Sequence, residues 1–275
     1  GEVTQSLSVL QPDLVLNKNI VSLDNALDQV PGVVVVDGEP QIRAGSGFSY
    51  GAGSRVQVLV DDIPILSGDI GRPNWTFLPI ENLEQVEIIK GASSVLYGSA
   101  ALSGVINVRT AYPRSEPRTR VVMFTGIYNS PSRSGAKWWD ENHPMISGTN
   151  FFHSLQFGNF DLVIGGNVFS DAGHVGPEPI AVDSIAKDPL RLGPAGYDNR
   201  IRFNIATRWR NKKVEGLNYG VNANVMQSRS TAILIWNDID SGLYRPKPGT
   251  VTRTIGAQYY IDPFINFRSK AGTKH

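Results

Sequence analysis

The chain has no cysteine, which removes disulfides, thiolate metal sites and cysteine nucleophiles together. It also lacks a charge bias, with 26 Lys and Arg against 25 Asp and Glu, a net charge of +1. No electrostatic footprint for nucleic acid exists in such a balance, so no nucleic-acid partner is expected. No run approaches 18 consecutive apolar residues, which excludes an ordinary transmembrane helix. The opening GEVTQSLSVL has neither a basic n-region nor an apolar h-region. The chain is therefore expected to begin after any targeting signal, or to have none. The four histidines, at 143, 153, 174 and 275, are scattered, and no two stand at ligand spacing. There is no G-x-S-x-G elbow for a serine nucleophile. Asp238 and Asp240 in NDIDSG lack the full acidic pattern of a calcium loop and read as solvated. No enzyme, metal or cofactor is expected.

What is present is turn chemistry, with 28 Gly and 17 Pro, and two regions of different texture. Residues 1–110 mix short apolar runs with one helix. In SLDNALDQV (22–30), Ser22 is a candidate N-cap, and Leu23, Ala26, Leu27 and Val30 share a helical face before Pro31-Gly32 stops it. VVVV (33–36) and QIR (41–43) read as short strands, and RVQVLVDDIPI (55–65) as a strand in which Val56, Val58 and Val60 alternate with Gln57 and Leu59 before turning at Asp61-Asp62. ENLEQVEIIKG (81–91) reads as a helical turn feeding the strand VEIIK.

Residues 111–275 show period two instead. In 200–210, Ile201, Phe203, Ile205, Thr207 and Trp209 oppose Arg200, Arg202, Asn204, Arg208 and Arg210. Tyr219, Val221, Ala223 and Val225 oppose Asn218, Asn222 and Asn224, and 160–168 and 255–261 alternate likewise. A soluble sandwich alternates too. The connections favour a membrane barrel, because long stretches (129–149, 170–198, 236–250) alternate with short turns at Gly158-Asn159, 211–216 and Asp262-Pro263. Phe151, Phe152, Trp209, Trp236, Tyr259 and Tyr260 are expected near strand ends, where interfacial girdles sit.

The stretch KGASSVLYGSAALSGVINV (90–108) raises the question of a phosphate loop. No Lys-Ser/Thr follows its glycines and no opening helix is expected, so the glycines read as devices for close packing. AGSGFSYGAGSR spaces Gly45, Gly47 and Gly51 as G-x-G-x-x-x-G and runs into a strand, which argues against a dinucleotide fingerprint.

Taken in order, SLDNALDQVPGVVV, QIRAGSG, RVQVLVDDIPI and FLPIENLEQVEIIKGASSVLYGSAALSGVINVRT resemble the plug domain of TonB-dependent outer-membrane receptors. Asp62 stands where the family has glycine after aspartate, and Arg43-Ala44-Gly45 replaces Arg-Gly. The cast is Bacteroidetes-like, but KGAS with LYGS is closer to general receptors than to the starch-utilisation subgroup. The resemblance implies an α+β plug domain (1–110) followed by antiparallel transmembrane β-barrel strands (111–275). About seven strands are expected, an incomplete barrel and so part of a longer protein. It implies import of a scarce bulky ligand (small molecule, peptide or glycan), driven by a TonB complex pulling on the plug. A lipid bilayer, and a surface lipoprotein or other outer-membrane subunits, are the further partners. The alternative is a non-transporting plugged barrel that docks within an envelope assembly. No clear TonB-contacting box is legible, since Glu2-Val3-Thr4 is too short. On the implied apical loops, Phe48, Tyr50, Arg72, Asn74 and Trp75 are the candidate ligand-facing residues. Arg43, Glu87 and Lys90 are the candidate plug-to-barrel latch. GVINV is the expected closing strand of the plug before the chain crosses over at 111–118.

Overall fold

The computed structural model describes residues 6–12, 21–36, 38–43, 48–49, 53–68, 71–91, 94–176, 195–233, 235–236 and 245–268. The chain divides into two compact units, Gly1–Tyr112 and Pro113–His275.

In the first unit, strands β1 (Ser6–Leu10), β8 (Leu83–Lys90), β9 (Gly104–Thr110), β6 (Val56–Val60) and β7 (Ile63–Pro64) form one sheet in that order. Two small hairpins stand apart from it: β2 (Val33–Val36) with β3 (Glu39–Ile42), and β4 (Phe48–Ser49) with β5 (Gly53–Ser54). β6 runs parallel to β9, and all five of its residues are buried. The expected alternation fails there because a central strand covered on both faces has no solvent side to mark.

The helix, α1, is shorter than its periodicity predicts, spanning Leu23–Leu27. Ser22 has the extended backbone of an N-cap but makes no side-chain cap bond. Downstream, the Asp28 carboxylate accepts from Val35 N at 2.8 Å, which ties the end of the helix to β2. Leu23, Ala26 and Leu27 are buried, so the predicted apolar face is the packed one. The helical turn expected in 81–91 is a 3-10 turn, Ile80–Asn82, and β8 begins at Leu83, three residues before VEIIK.

The stretch 90–108 holds one helical turn, α2 (Ser94–Tyr97), where a plain turn was expected. Close packing is borne by Gly104, where a Cβ would lie 2.4 Å from Ile89 O of the neighbouring strand. That is backbone against backbone, so only glycine fits without moving the strand pair.

The second unit is one antiparallel meander in chain order. Its strands are β10 (Arg118–Ile127), β11 (Met145–Phe157), β12 (Phe160–Asp171), β13 (Asp198–Arg210), β14 (Leu217–Ile233) and β15 (Val251–Phe267). Among the described residues there are six strands rather than the seven expected, because Asp262 and Pro263 do not turn the chain. They lie inside β15, paired with Asn222 and Val221. Connections 128–144, 172–197 and 234–250 gather at one end, and 158–159 and 211–216 at the other. Among the described residues no helix is long and apolar enough to cross a membrane, which says nothing of a barrel.

The polarity of the sheet is inverted relative to a soluble protein. Ile201 is 56% and Phe203 48% exposed, whereas Arg202 and Asn204 between them are 3% and 4% exposed. Met123, Val121, Val168, Val225, Ile255 and Ile261 are exposed on the same face as Ile201. At the short-turn end, Phe157, Phe160, Trp209 and Tyr219 stand opposite one another on four successive strands. The Phe160 and Trp209 rings are 4.6 Å apart, and Trp209 and Tyr219 6.4 Å. Toward the long-connection end, Thr125, Ser147, Ser170, Asn199 and Arg229 form the corresponding polar row. Between the rows lie ten steps along β12, about 25 Å at roughly 3.3 Å per residue and the tilt of a barrel strand. That is the height of a lipid-facing band. Of the aromatics expected at strand ends, only Trp209 belongs to the girdle. Phe151 and Tyr259 sit mid-strand, Phe152 is buried on the polar face with Tyr260 on that same face, and Trp236 follows β14.

Candidate functional site

Arg72, Asn74 and Trp75 lie on one segment between β7 and β8. Ser67 closes it, its amide donating to Arg72 O at 2.8 Å and its hydroxyl accepting from Arg72 N at 3.0 Å. Asn74 caps the 3-10 turn Trp75–Phe77, its Oδ1 accepting from Thr76 N at 3.2 Å and Thr76 Oγ1 at 2.7 Å. Trp75 is buried, and its indole N–H donates to Gly38 O at 2.6 Å. Both side chains are thus committed to the fold of the segment. Arg72 is the exposed one, and its Nε stands 2.8 Å from the buried Glu39 carboxylate. Desolvation raises the Glu39 pKa, and Arg72 opposes the rise. Phe48 sits on β4, and Tyr50 lies outside the described residues. Trp75→Phe keeps the packing and deletes the hydrogen bond. It is expected to cost about 1 kcal/mol, measured by denaturant unfolding.

A second network in this unit links the β6–β7 turn to β8 and β9. Asp61 and Asp62 both have positive φ, +48° and +72°. Aspartate tolerates that conformation, and here its carboxylate gives a reason for standing where glycine would be easier. Asp61 accepts from Thr110 N at 3.0 Å and Thr110 Oγ1 at 2.5 Å. Asp62 accepts from Asn107 Nδ2 at 2.8 Å and Arg109 Nη1 at 2.6 Å. Arg109 Nε also donates to Glu87 at 3.0 Å. One guanidinium therefore bridges two carboxylates, and hydrogen bonding to both raises its pKa against the opposing effect of burial.

Burial raises the Asp61 pKa, outweighing its bonds to Thr110 and the nearby Arg109. The folded state then holds the Asp61 proton to higher pH than the unfolded chain does. Its contribution is fully present below the ordinary value of 3.8 and is lost as pH rises through the folded value. Asp61→Asn is expected to abolish that slope in the hydrogen exchange of the Val108–Thr110 amides.

Of the candidate latch residues, only Glu87 belongs to this network. Glu87 is paired with Arg109 and also accepts from Gln85 at 2.8 Å. Lys90 is buried, its Nζ donating to Pro31 O at 2.5 Å. Arg43 is exposed with φ +53°, its amide donating to Gly32 O at 2.9 Å.

In the second unit the buried polar face carries its own network. Asp161 is fully buried, pairs with Arg208 Nη2 at 2.6 Å and Arg210 Nη2 at 2.9 Å, and accepts from Arg208 Nε at 2.7 Å and Gln156 Nε2 at 3.1 Å. Farther along, Arg200 bonds Asn167, pairs with Asp198 and stacks 4.0 Å over Phe169, while Asn167 donates to Asn150 at 2.7 Å. At the long-connection end, Tyr128 OH donates to both Asp171 oxygens at 3.0 and 2.9 Å. Burial, reinforced by Asp171, pushes the Tyr128 hydroxyl up to about 12. His143 Nδ1 donates to Tyr128 O at 2.7 Å, and the His174 ring lies 5.3 Å from that of Tyr128. Trp139 packs against both Trp138 and His143. Among the described residues no three His, Cys, Asp or Glu are placed to hold a metal ion.

Residues 1–105 match the family model of the TonB-dependent receptor plug domain. The first unit of this chain is a TonB-dependent receptor plug. Over 106 residues it is 33% identical to a vitamin B12 transporter of Photobacterium profundum, covering 38% of this chain and 17% of that protein. Over 98 residues it is 34% identical to a heme/hemopexin utilization protein of Haemophilus influenzae, covering 36% and 13%. The fold of nearly the whole chain, 98%, superposes on 39% of the ferric yersiniabactin uptake receptor of Yersinia pestis, with TM-score 0.71 and 17% identity. A ferric enterobactin receptor of Pseudomonas aeruginosa shares the fold with TM-score 0.62, at 16% identity over 97% of this chain and 39% of that one. The chain thus spans well under half of these relatives.

The sequence missed two groups of this chain. The Asp61, Asp62 and Arg109 network had a legible signal, two adjacent aspartates at a turn between strand halves. Tyr128, His143 and His174 had none, because histidines 31 residues apart meet only when β10, β11 and β12 bring their ends together.

Proposed function

We propose that the chain is the plug and first barrel strands of an outer-membrane receptor that imports a scarce, bulky solute, with TonB pulling on the plug. The observation that carries the membrane part is the inverted sheet, apolar face exposed and polar face buried, bounded by an aromatic row and a polar row about 25 Å apart. The plug identity of residues 1–105 supports the import part. A closed pore in a membrane without ATP needs an outside source of work, and a mechanical pull on its stopper supplies it. The named cargoes of the relatives, vitamin B12, haem and ferric siderophores, share a metal held in a bulky organic ligand, and a cargo of that class is proposed here. Capture is assigned to plug loop residues Phe48, Tyr50, Arg72, Asn74 and Trp75, of which Arg72 has the most accessible side chain of those described. The Tyr128, Trp139, His143 and His174 cluster supports a second aromatic contact at the long-connection end. Arg43, Glu87 and Lys90 are proposed to hold plug to wall, with Glu87 exchanging Arg109 for a wall cation.

Uptake of labelled cobalamin, haemin and ferric siderophores by cells carrying the full-length receptor tests this. At least one is expected to enter, and a protonophore is expected to stop it. Binding of these solutes with no gradient-dependent uptake of any would point instead to a docking subunit.

A further inference from the structure

The β2–β3 hairpin is a sheet of its own, so its tip relies on side chains from elsewhere in the first unit. Its base is firm. Val33 and Ile42 are buried, Arg43 N donates to Gly32 O, and Asp28 at the end of α1 accepts from Val35 N. Its tip, Gly38 and Glu39, is held by the segment between β7 and β8. Trp75 donates its indole N–H to Gly38 O at 2.6 Å, and Arg72 Nε stands 2.8 Å from Glu39 Oε1.

The two holds differ in reach. Trp75 is buried, whereas the Arg72 side chain is 44% exposed against 7% for that of Glu39. Half of this ion pair therefore faces water and the other half does not. The Arg72 backbone is fixed, because Leu66 bridges Pro73 and Ser67 bonds both the amide and the carbonyl of Arg72. What can move is the guanidinium on its flexible stem.

Glu39 has no such freedom. Neither of its oxygens has a hydrogen bond, and among the described residues Arg72 is the cation beside it. Burial raises its pKa, and Arg72 opposes the rise. Taking the guanidinium away leaves a buried charge uncompensated, which costs more than the pair itself is worth. Turning Glu39 out to water relieves that cost and opens the tip of the hairpin.

Glu39 is also an acceptor already seated on Arg72. A solute has to displace it before Arg72 can serve as a contact. A neutral solute offers no charge in its place. A carboxylate or catecholate oxygen does, and it meets Arg72 on the exposed side.

We propose that Glu39 is a built-in competitor at the capture loop, so that Arg72 selects an anionic metal chelate and its capture opens the β2–β3 hairpin. This rests on the import reading and names the charge of its cargo.

The test uses the full-length receptor in detergent micelles with a trianionic triscatecholate ferric chelate, ferric citrate and a neutral trihydroxamate ferric chelate. Affinity is read by titration calorimetry, and hairpin opening by hydrogen exchange of the Val33–Val36 amides. Arg72→Gln is expected to weaken binding of an anionic chelate about tenfold, and Glu39→Gln to tighten it about threefold. The neutral chelate is expected to gain nothing from Glu39→Gln. An anionic chelate is expected to speed exchange at those amides about tenfold, as Arg72→Gln does without ligand. The double variant Arg72→Gln, Glu39→Gln leaves no buried charge and is expected to keep the hairpin closed. Weaker anion binding in Glu39→Gln, or no exchange response to either anionic chelate, overturns the proposal. Hairpin opening by an anionic chelate that energised cells do not import would keep the switch and remove the import reading.

Discussion

Val225→Arg is expected to destabilise the full-length barrel by about 2–4 kcal/mol, measured as the denaturant midpoint in lipid vesicles. Val225 is 47% exposed, and in water a substitution at such a place changes stability by no more than about 0.5 kcal/mol. Its row, with Val121, Phe151, Gly166, Phe203 and Tyr259, lies midway between the aromatic and polar borders, where hydrocarbon offers arginine no partner. Gln227→Arg, one row nearer the polar border, should cost less. A depth-dependent penalty is the mark of a bilayer and has no counterpart on a soluble sheet. Equal, near-zero effects at both positions would mean that this face meets water.

Asp161→Leu is expected to be the most damaging single change on the polar face, at about 3–5 kcal/mol. The carboxylate is fully buried between Arg208 and Arg210, and removing it leaves two guanidinium groups of like charge side by side. The cost belongs to the abandoned cations more than to the lost attraction. The triple change Asp161→Leu, Arg208→Leu, Arg210→Leu should therefore recover most of the stability in the same assay. If the triple variant were as unstable as the single one, the network would be stabilising beyond its own desolvation. Arg208 and Arg210 lie on the face of β13 away from Trp209, so lipid contact does not enter this comparison.

Much of the barrel was legible because period two is written residue by residue. Ile201, Phe203 and Ile205 against Arg202 and Asn204 already state that two faces differ. They do not state which face is wet. Only the tertiary structure decided that, by burying Arg202 and Asn204 and leaving Ile201 and Phe203 exposed. The plug was legible differently, as a string of segments in order, and the alternation of Val56, Val58 and Val60 in its central strand β6 marked no wet face because both faces are covered. Asp262-Pro263 was misread as a turn for a related reason. The pairing of Asp262 and Pro263 with Asn222 and Val221, which keeps them in the strand, joins residues far apart in the chain.

The site divides along the same line. The residue types for ligand contact could be picked from a glycine-loosened loop, but their availability could not. Trp75 and Asn74 are engaged by Gly38 O and the Thr76 amide and hydroxyl, bonds that exist only once that loop has closed. The sequence by itself determined the two units, the strand periodicity and the absence of thiol chemistry, since each is a local property of composition and spacing. The tertiary structure alone decided which face is exposed, which charges meet and which side chains remain free, because burial and pairing belong to residues far apart in the chain.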